Sequence, residues 1–341
     1  MKTNYLFPGT FSPPTYGHAA LVSEAAQHLP HLTVVCSENP TKSASWFTPE
    51  EAVGLWQAYS LPRNVSITTL AAIRQEKLNP RSIVMVRGIR DESDVEAERG
   101  VMQYNREHFG ITKFLYLHCA PEFADVSSSS ARVAAEGLDF TTLAHLCSPL
   151  VVTKLLEHTL GIANLFLVVG KPGSGKSTLL TEFCSQYPEA VRITTDGFNH
   201  TLRPLLEAAF PGKELLAVAK DQEAALIAAI KEPWLALLRE ELLKCKGMSH
   251  VFVEAAYGLQ PNKELFRLLG GKAIYVGCTT RRCTARNHKR GTPELLPFVP
   301  RIPGWAASKQ IAQRHNLSLA RVSTDTGLDQ SIAQLEAILR R

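Results

Sequence analysis

Residues Gly170-Lys-Pro-Gly173-Ser174-Gly175-Lys176-Ser177-Thr178 follow a short apolar run and precede a helical pattern. The G-x-x-x-x-G-K-[ST] spacing lets glycine backbone N–H groups curl around phosphate oxygens while the next helix aims its positive end at the same anion. Lys176 would then neutralise β/γ-phosphate charge, and the Ser177 hydroxyl would ligate Mg²⁺. Asp196, at the end of the following strand, is a candidate to orient or deprotonate an acceptor hydroxyl. A helix cap is its other reading. In the run Thr279–Arg290, Arg286 and Arg290 are four apart and share a helix face. They could fold over a triphosphate and stabilise transition-state charge. A solvated basic face and an RNA contact are the alternatives, although no aromatics interleave the run.

A second group of residues lies near the start of the chain, in Pro8-Gly9-Thr10-Phe11-Ser12-Pro13-Pro14-Thr15-Tyr16-Gly17-His18. Thr15-x-Gly17-His18 puts an imidazole in the first turn of a helix, and Gly17 permits close backbone approach. A phosphate there would meet helix N–H groups, His18 and the Thr10 hydroxyl. Lys42 sits on the loop after the second strand. Arg87-Gly88-Ile-Arg90 follows a later strand, with Glu98 downstream, and Ser127-Ser128-Ser129-Ser130-Ala-Arg132 opens another helix. The hydroxyls and unpaired N–H groups of that serine turn could hold a second phosphate cluster, or simply cap the helix.

These residues need a scaffold that collects them at one edge. Apolar runs alternate with helical patterns: strands are expected over 4–7, 32–36, 65–68, 82–86 and 113–118, with helices over 18–28, 49–59 and 94–107. The alternation restarts with a strand over 164–169 and a helix over 177–187, then strands over 192–194, 250–253, 272–277 and 321–323. That order predicts an α/β protein of two domains, 1–160 and 161–341, each with a central parallel sheet. In such sheets ligands bind beyond the carboxyl ends of the strands.

Composition narrows the class of function. The 341 residues carry 37 Lys plus Arg against 32 Asp plus Glu, a net charge of +5, too small for a dedicated nucleic-acid coat. Apolar residues at 45% and charged residues at 20% exclude wholesale disorder. No apolar run approaches the roughly 18 residues of a membrane span. Pro8 and Gly9 interrupt the start before a secretory signal builds. Seven scattered cysteines without a C-x-x-C pair read as reduced thiols in a cytoplasm.

Over residues 3 to 158 the ordered motifs resemble bacterial phosphopantetheine adenylyltransferase. The resemblance implies a Rossmann-like nucleotidyltransferase domain that moves AMP from ATP to 4′-phosphopantetheine, giving dephospho-coenzyme A and pyrophosphate. Carried over by motif, His18 and Thr10 bind the α-phosphate in the transition state, with Gly9, Phe11 and Gly17 also binding the nucleotide. Lys42 contacts phosphate charge on donor or acceptor, Arg87 with Gly88 and Arg90 the acceptor or β/γ-phosphates, and Glu98 the nucleotide. Ser127, Ser128, Ser129 and Arg132 hold the triphosphate. Where the family has PGTFDP this chain has PGTFSP, with Ser12 in place of aspartate, which leaves the metal use of this site in question.

From about 164 to 340 the phosphate loop, Asp196, Arg286, Arg290 and the late Arg321-Val-Ser-Thr-Asp-Thr-Gly327 resemble dephospho-coenzyme A kinase, a P-loop kinase fold. The usual Asp-x-Asp reads Thr194-Thr-Asp196 here, and the usual His-Pro reads Glu232-Pro233. The string Thr194–His200 is also similar to pantothenate kinase. Together the halves imply a bifunctional coenzyme A synthase using ATP and Mg²⁺, with small-molecule partners, no nucleic acid or membrane, and a homo-oligomer among the assemblies allowed. Three alternatives stay open. One is a nicotinamide-nucleotide adenylyltransferase joined to a ribosylnicotinamide kinase, one a kinase half acting on a pantothenate-like acceptor, and one a half that only senses nucleotide.

Overall fold

In the computed structural model, residues 3–38, 45–90, 92–213, 222–255 and 264–340 are described. The chain divides into two compact units, Met1–Val152 and Thr153–Arg341.

The first unit is built on strands β1 (Asn4–Gly9), β2 (Leu32–Cys36), β3 (Val65–Thr69), β4 (Ile83–Ile89) and β5 (Lys113–His118), in the order β3-β2-β1-β4-β5. All four pairings are parallel. A parallel neighbour requires a crossover, and the helices Tyr16–His28, Pro49–Trp56 and Glu92–Phe109 supply three of them. Leu6, Val35, Ile83 and Met85 from the strands form a core with Ile73 and Ile111.

The second unit uses β6 (Asn164–Val169), β7 (Ala190–Thr194), β8 (His250–Glu254), β9 (Lys272–Gly277) and β10 (Ser318–Ser323), in the order β10-β9-β6-β8-β7, again parallel throughout. All of β6 after Asn164 is buried, as expected of a strand covered on both faces. Phe166, Phe183, Phe252, Val276 and Leu335 anchor its core. β1 lies between β2 and β4, and β6 between β8 and β9. At both positions the strand order reverses, which opens a crevice beyond the strand ends.

Several expected boundaries shift, each for a local reason. Ser82 belongs to the 3₁₀ turn Pro80–Ser82, because its hydroxyl donates to the Asn79 carbonyl at 2.7 Å. The helix from Pro49 ends at Trp56. Residues 57–59 tighten into i→i−3 bonds, and the Tyr59 hydroxyl donates to the Pro14 carbonyl at 2.9 Å. β7 starts at Ala190 and β10 at Ser318, where ladder pairing with β8 and β9 overrides the weak apolar signal. The helices Phe140–Leu146 and Pro149–Leu160 were not singled out from sequence.

Candidate functional site

The Thr15-x-Gly17-His18 pattern has a mechanical explanation. Thr15 is the N-cap of the helix Tyr16–His28, and His18 closes a capping box as the third helical residue. The Thr15 backbone N–H donates to His18 Nδ1 at 3.1 Å. With Nδ1 engaged as an acceptor, the ring proton of a neutral imidazole resides on Nε2. The ring is held further by edge contacts with Phe11 at 5.3 Å and Trp56 at 6.5 Å between centroids. Gly9 leaves space for the Phe11 ring, since a Cβ on it would lie 2.6 Å from that ring. Thr10 is half-buried just beyond β1.

A Cβ on Gly17 would lie 3.1 Å from the Val126 carbonyl oxygen, so glycine lets this turn pack against the start of the serine helix. Ser127 caps that helix, Ser128–Glu136, by accepting from the Ser130 N–H at 3.1 Å. The Ser128 hydroxyl donates to the Pro13 carbonyl at 2.7 Å, and Arg132 Nη1 donates to the Ser12 carbonyl at 2.7 Å. Arg132 also reaches the Ser129 hydroxyl at 3.3 Å. The structure thus gathers loop 10–18 and the two helix N-termini into one place. Arg87 lies within β4, not after it, because pairing with β5 continues to Ile89, and it joins them by donating to the Pro8 carbonyl at 2.8 Å. Its guanidinium is otherwise paired with Glu98, Nε to Oε2 at 2.8 Å, so Glu98 holds Arg87 here.

Arg90 is set by Asp94, with Nε to Oδ2 at 2.8 Å. That pairing holds the Asp94 carboxyl below the ordinary aspartate range. Gly88 faces the Leu21 side chain, where a Cβ would come within 2.5 Å. Ser12, in the place of the family aspartate, is buried, and its hydroxyl accepts from the Phe47 N–H at 3.1 Å. Lys42 lies outside the described residues.

In the second unit the loop Gly170–Gly175 joins β6 to the helix Lys176–Gln186, whose N-cap Gly175 is left-handed at φ 95°. Lys176 is buried, and its Nζ donates to the carbonyl of Gly170 at 2.9 Å and of Lys171 at 3.3 Å. Burial lowers its pKa, opposed by the charges of Glu254 and Asp196. Ser174 is buried, and Thr178 lies on the helix.

The Ser177 hydroxyl donates to Glu254 Oε1 at 2.7 Å, and Arg192 Nε donates to Glu254 Oε2 at 2.7 Å. Sequence reasoning missed Glu254. The available signal was an acid ending the otherwise apolar His-Val-Phe-Val-Glu, since a buried charge needs partners. Asp196 stands in the 3₁₀ turn Thr195–Gly197, just past β7. Desolvation raises its pKa, Glu254 raises it further, and Lys176 and Arg192 pull it down.

The helix Thr280–Arg290 closes the other side of the loop. Arg286 Nη1 donates to the Gly173 carbonyl at 3.3 Å and to Thr324 Oγ1 at 3.2 Å. Thr324, also missed, donates in turn to the Ser174 carbonyl at 2.6 Å. Arg286 and Arg290 both line a cavity of about 210 Å³ with Gly175, Thr178, Leu179 and Thr324. The Ser177–Glu254 pair offers two hard oxygens beside a phosphate-type loop, a donor set that fits Mg²⁺.

The fold and the loop geometry of the first unit define a nucleotidyltransferase class, and residues 6–134 match the cytidylyltransferase-like family. Phosphopantetheine adenylyltransferase of Thioalkalivibrio sulfidiphilus is 34% identical over 158 residues, 46% of this chain and 97% of that protein. The Corynebacterium efficiens enzyme of the same name is 32% identical over 139 residues, 40% of this chain and 87% of that protein. Through its first unit the chain belongs to the phosphopantetheine adenylyltransferase family. Among solved structures, a NadR protein in complex with NR covers 99% of this chain and 95% of that one, at 12% identity and a TM-score of 0.33. A Plasmodium falciparum nicotinic acid mononucleotide adenylyltransferase complexed with NaAD covers 47% of this chain and 97% of that one, at 16% identity and a TM-score of 0.36. Scores this low carry no functional argument.

Proposed function

We propose that the first unit transfers AMP from ATP to 4′-phosphopantetheine and that the second phosphorylates the ribose 3′-hydroxyl of the dephospho-coenzyme A so formed. The observation that carries the first step is the junction of two capped helix N-termini at His18 and Ser127–Arg132, within a stretch of 158 residues 34% identical to a phosphopantetheine adenylyltransferase. An acceptor phosphate oxygen attacks the α-phosphorus as the bond to the pyrophosphate oxygen breaks. No group on the protein becomes covalently attached, so the residues contribute alignment and charge stabilisation. His18 Nε2–H donates to the α-phosphate as negative charge develops, and Thr10 adds a hydroxyl. The serine helix and Arg132 carry the triphosphate. Arg87, oriented by Glu98, binds the acceptor phosphate, and Lys42 contributes charge to phosphate on donor or acceptor.

For the second step the loop Gly170–Ser177 cradles the donor phosphates, and Arg286 with Arg290 closes over them. The 210 Å³ cavity accommodates part of a nucleotide, since whole-ligand pockets run from about 300 to 1,000 Å³. Bound Mg²⁺ would be held by Ser177 and Glu254 and would offset the charge of the phosphates. Asp196, close enough to Lys176 and Glu254 to feel both charges, orients the acceptor hydroxyl and accepts its proton.

The test of the acceptor is competition: ATP with equal 4′-phosphopantetheine and nicotinamide mononucleotide, products resolved by mass. Dephospho-coenzyme A in large excess is expected. Adenylylation of the mononucleotide without turnover of phosphopantetheine overturns the assignment.

A further inference from the structure

Two of the seven cysteines, apparently dispersed in sequence, meet at the seam between the loop 170–175 and the helix Thr280–Arg290. Cys278 Sγ and Cys283 Sγ are 3.3 Å apart, one just before the helix N-cap Thr279 and the other in its first turns. Cys278 Sγ lies 3.6 Å from Arg286 Nη1 and 4.0 Å from the Gly173 carbonyl oxygen. Cys278 is half-buried, whereas Cys283 is fully buried. An accessible sulfur beside a guanidinium and a helix start, backed by a buried thiol in contact with it, has the layout of an attacking and a resolving cysteine.

We propose that Cys278 and Cys283 form a peroxide-reactive dithiol that closes into an internal disulfide. The Cys278 thiolate attacks one peroxide oxygen: an S–O bond forms, the O–O bond breaks, and the departing hydroxide is protonated to water. The Cys283 sulfur then attacks the Cys278 sulfenic acid. The S–S bond forms, the S–O bond breaks, and the hydroxyl leaves as water with the Cys283 proton. Two electrons pass from the two sulfurs to one peroxide, which yields two waters. Closure removes the thiolate from Arg286 and draws on the first turns of a helix that clasps Gly173.

The electrostatics select this pair over the other thiols. The hydrogen bond from Cys283 lowers the Cys278 pKa, desolvation opposes it, and Arg286 and a hydrogen bond from Thr324 lower it further. Asp325 raises it. Cys283 moves upward, chiefly through the same hydrogen bond, against Lys171 and Arg286. Burial pushes Cys36 up to about 12 and Cys245 up to about 11, and raises Cys119, Cys147 and Cys184.

The full chain treated with equimolar hydrogen peroxide, alkylated and digested with trypsin under non-reducing conditions tests this. Cleavage at Lys272, Arg281, Arg282 and Arg286 puts the two cysteines on separate peptides, 273–281 and 283–286. The expected product is those peptides joined with loss of two hydrogens and separated by dithiothreitol, at a rate at least tenfold above oxidation of any other cysteine. With Cys283→Ser, Cys278 should stop at a sulfenic acid that dimedone traps. With Cys278→Ser, Cys283 should stay a thiol. Comparable oxidation of all seven cysteines, or no joined peptides, overturns the proposal.

Discussion

At the residue scale, His18 serves two purposes that separate experimentally. Its Nδ1 completes a cap, and in the proposed reaction its Nε2–H meets the α-phosphate, so His18→Ala would lose both functions. Glutamine in this position of a capping box keeps the acceptor for the Thr15 N–H while removing the imidazole donor. His18→Gln should therefore leave unfolding free energy within about 0.5 kcal/mol and lower kcat/KM for adenylyl transfer about 10³-fold. Loss of activity only in proportion to loss of stability would reduce the residue to a cap.

Asp196 gives the converse case. Its folded pKa is raised, so between about 3.9, the ordinary aspartate value, and that raised value the folded state binds more protons than the unfolded. Its contribution to stability is therefore unfavourable at neutral pH and recedes as pH falls through that window. Asp196→Asn should stabilise the second unit at pH 7, less so below pH ~4, while abolishing phosphorylation and sparing adenylylation. Chemical denaturation against pH checks the first part; equal loss of both activities would contradict the role. Asp196 was legible because it follows a strand after a phosphate loop. Glu254 was not, because an acid ending an apolar strand signals only that it needs a partner, and that partner is a serine 77 positions away.

At the scale of elements, glycines decide how closely two turns approach. A Cβ on Gly170 would lie 2.1 Å from the Val276 carbonyl oxygen, in the backbone of the neighbouring β9. Neither partner is a flexible side-chain end, so the strands must separate locally. Gly170→Ala should cost about 1–3 kcal/mol of unfolding free energy in urea and weaken ATP binding by the second unit. Unchanged stability would mean that the loop is looser than its contacts imply. Strands such as Leu32–Cys36 and Lys272–Gly277 were legible to the residue, because strands buried on both faces read as near-continuous apolar runs. The ends of other elements were less so. Ser82 and residues 57–59 follow hydrogen bonds to side chains and carbonyls that no periodicity encodes. The Cys278–Cys283 contact was equally hidden, since a spacing of five says nothing until a helix start folds the first sulfur back over the first turns.

At the scale of the molecule, two parallel sheets each reverse strand order beside their first strand, and loop 10–18 and the loop Gly170–Gly175 follow those first strands, β1 and β6. That much followed from strand–helix alternation. Each unit also has its own hydrophobic core, so damage to one site need not reach the other. Among the described residues no helix is long and apolar enough to cross a membrane. The proposed activity is adenylyl transfer to 4′-phosphopantetheine followed by phosphorylation of its product. It is tested most directly by following purified protein with ATP, Mg²⁺ and 4′-phosphopantetheine over time by mass spectrometry. Dephospho-coenzyme A should rise first and then convert to coenzyme A, with His18→Gln blocking the rise and Asp196→Asn blocking only the conversion. Dephospho-coenzyme A that accumulates without conversion would contradict the kinase assignment, and absence of both products would contradict the claim as a whole.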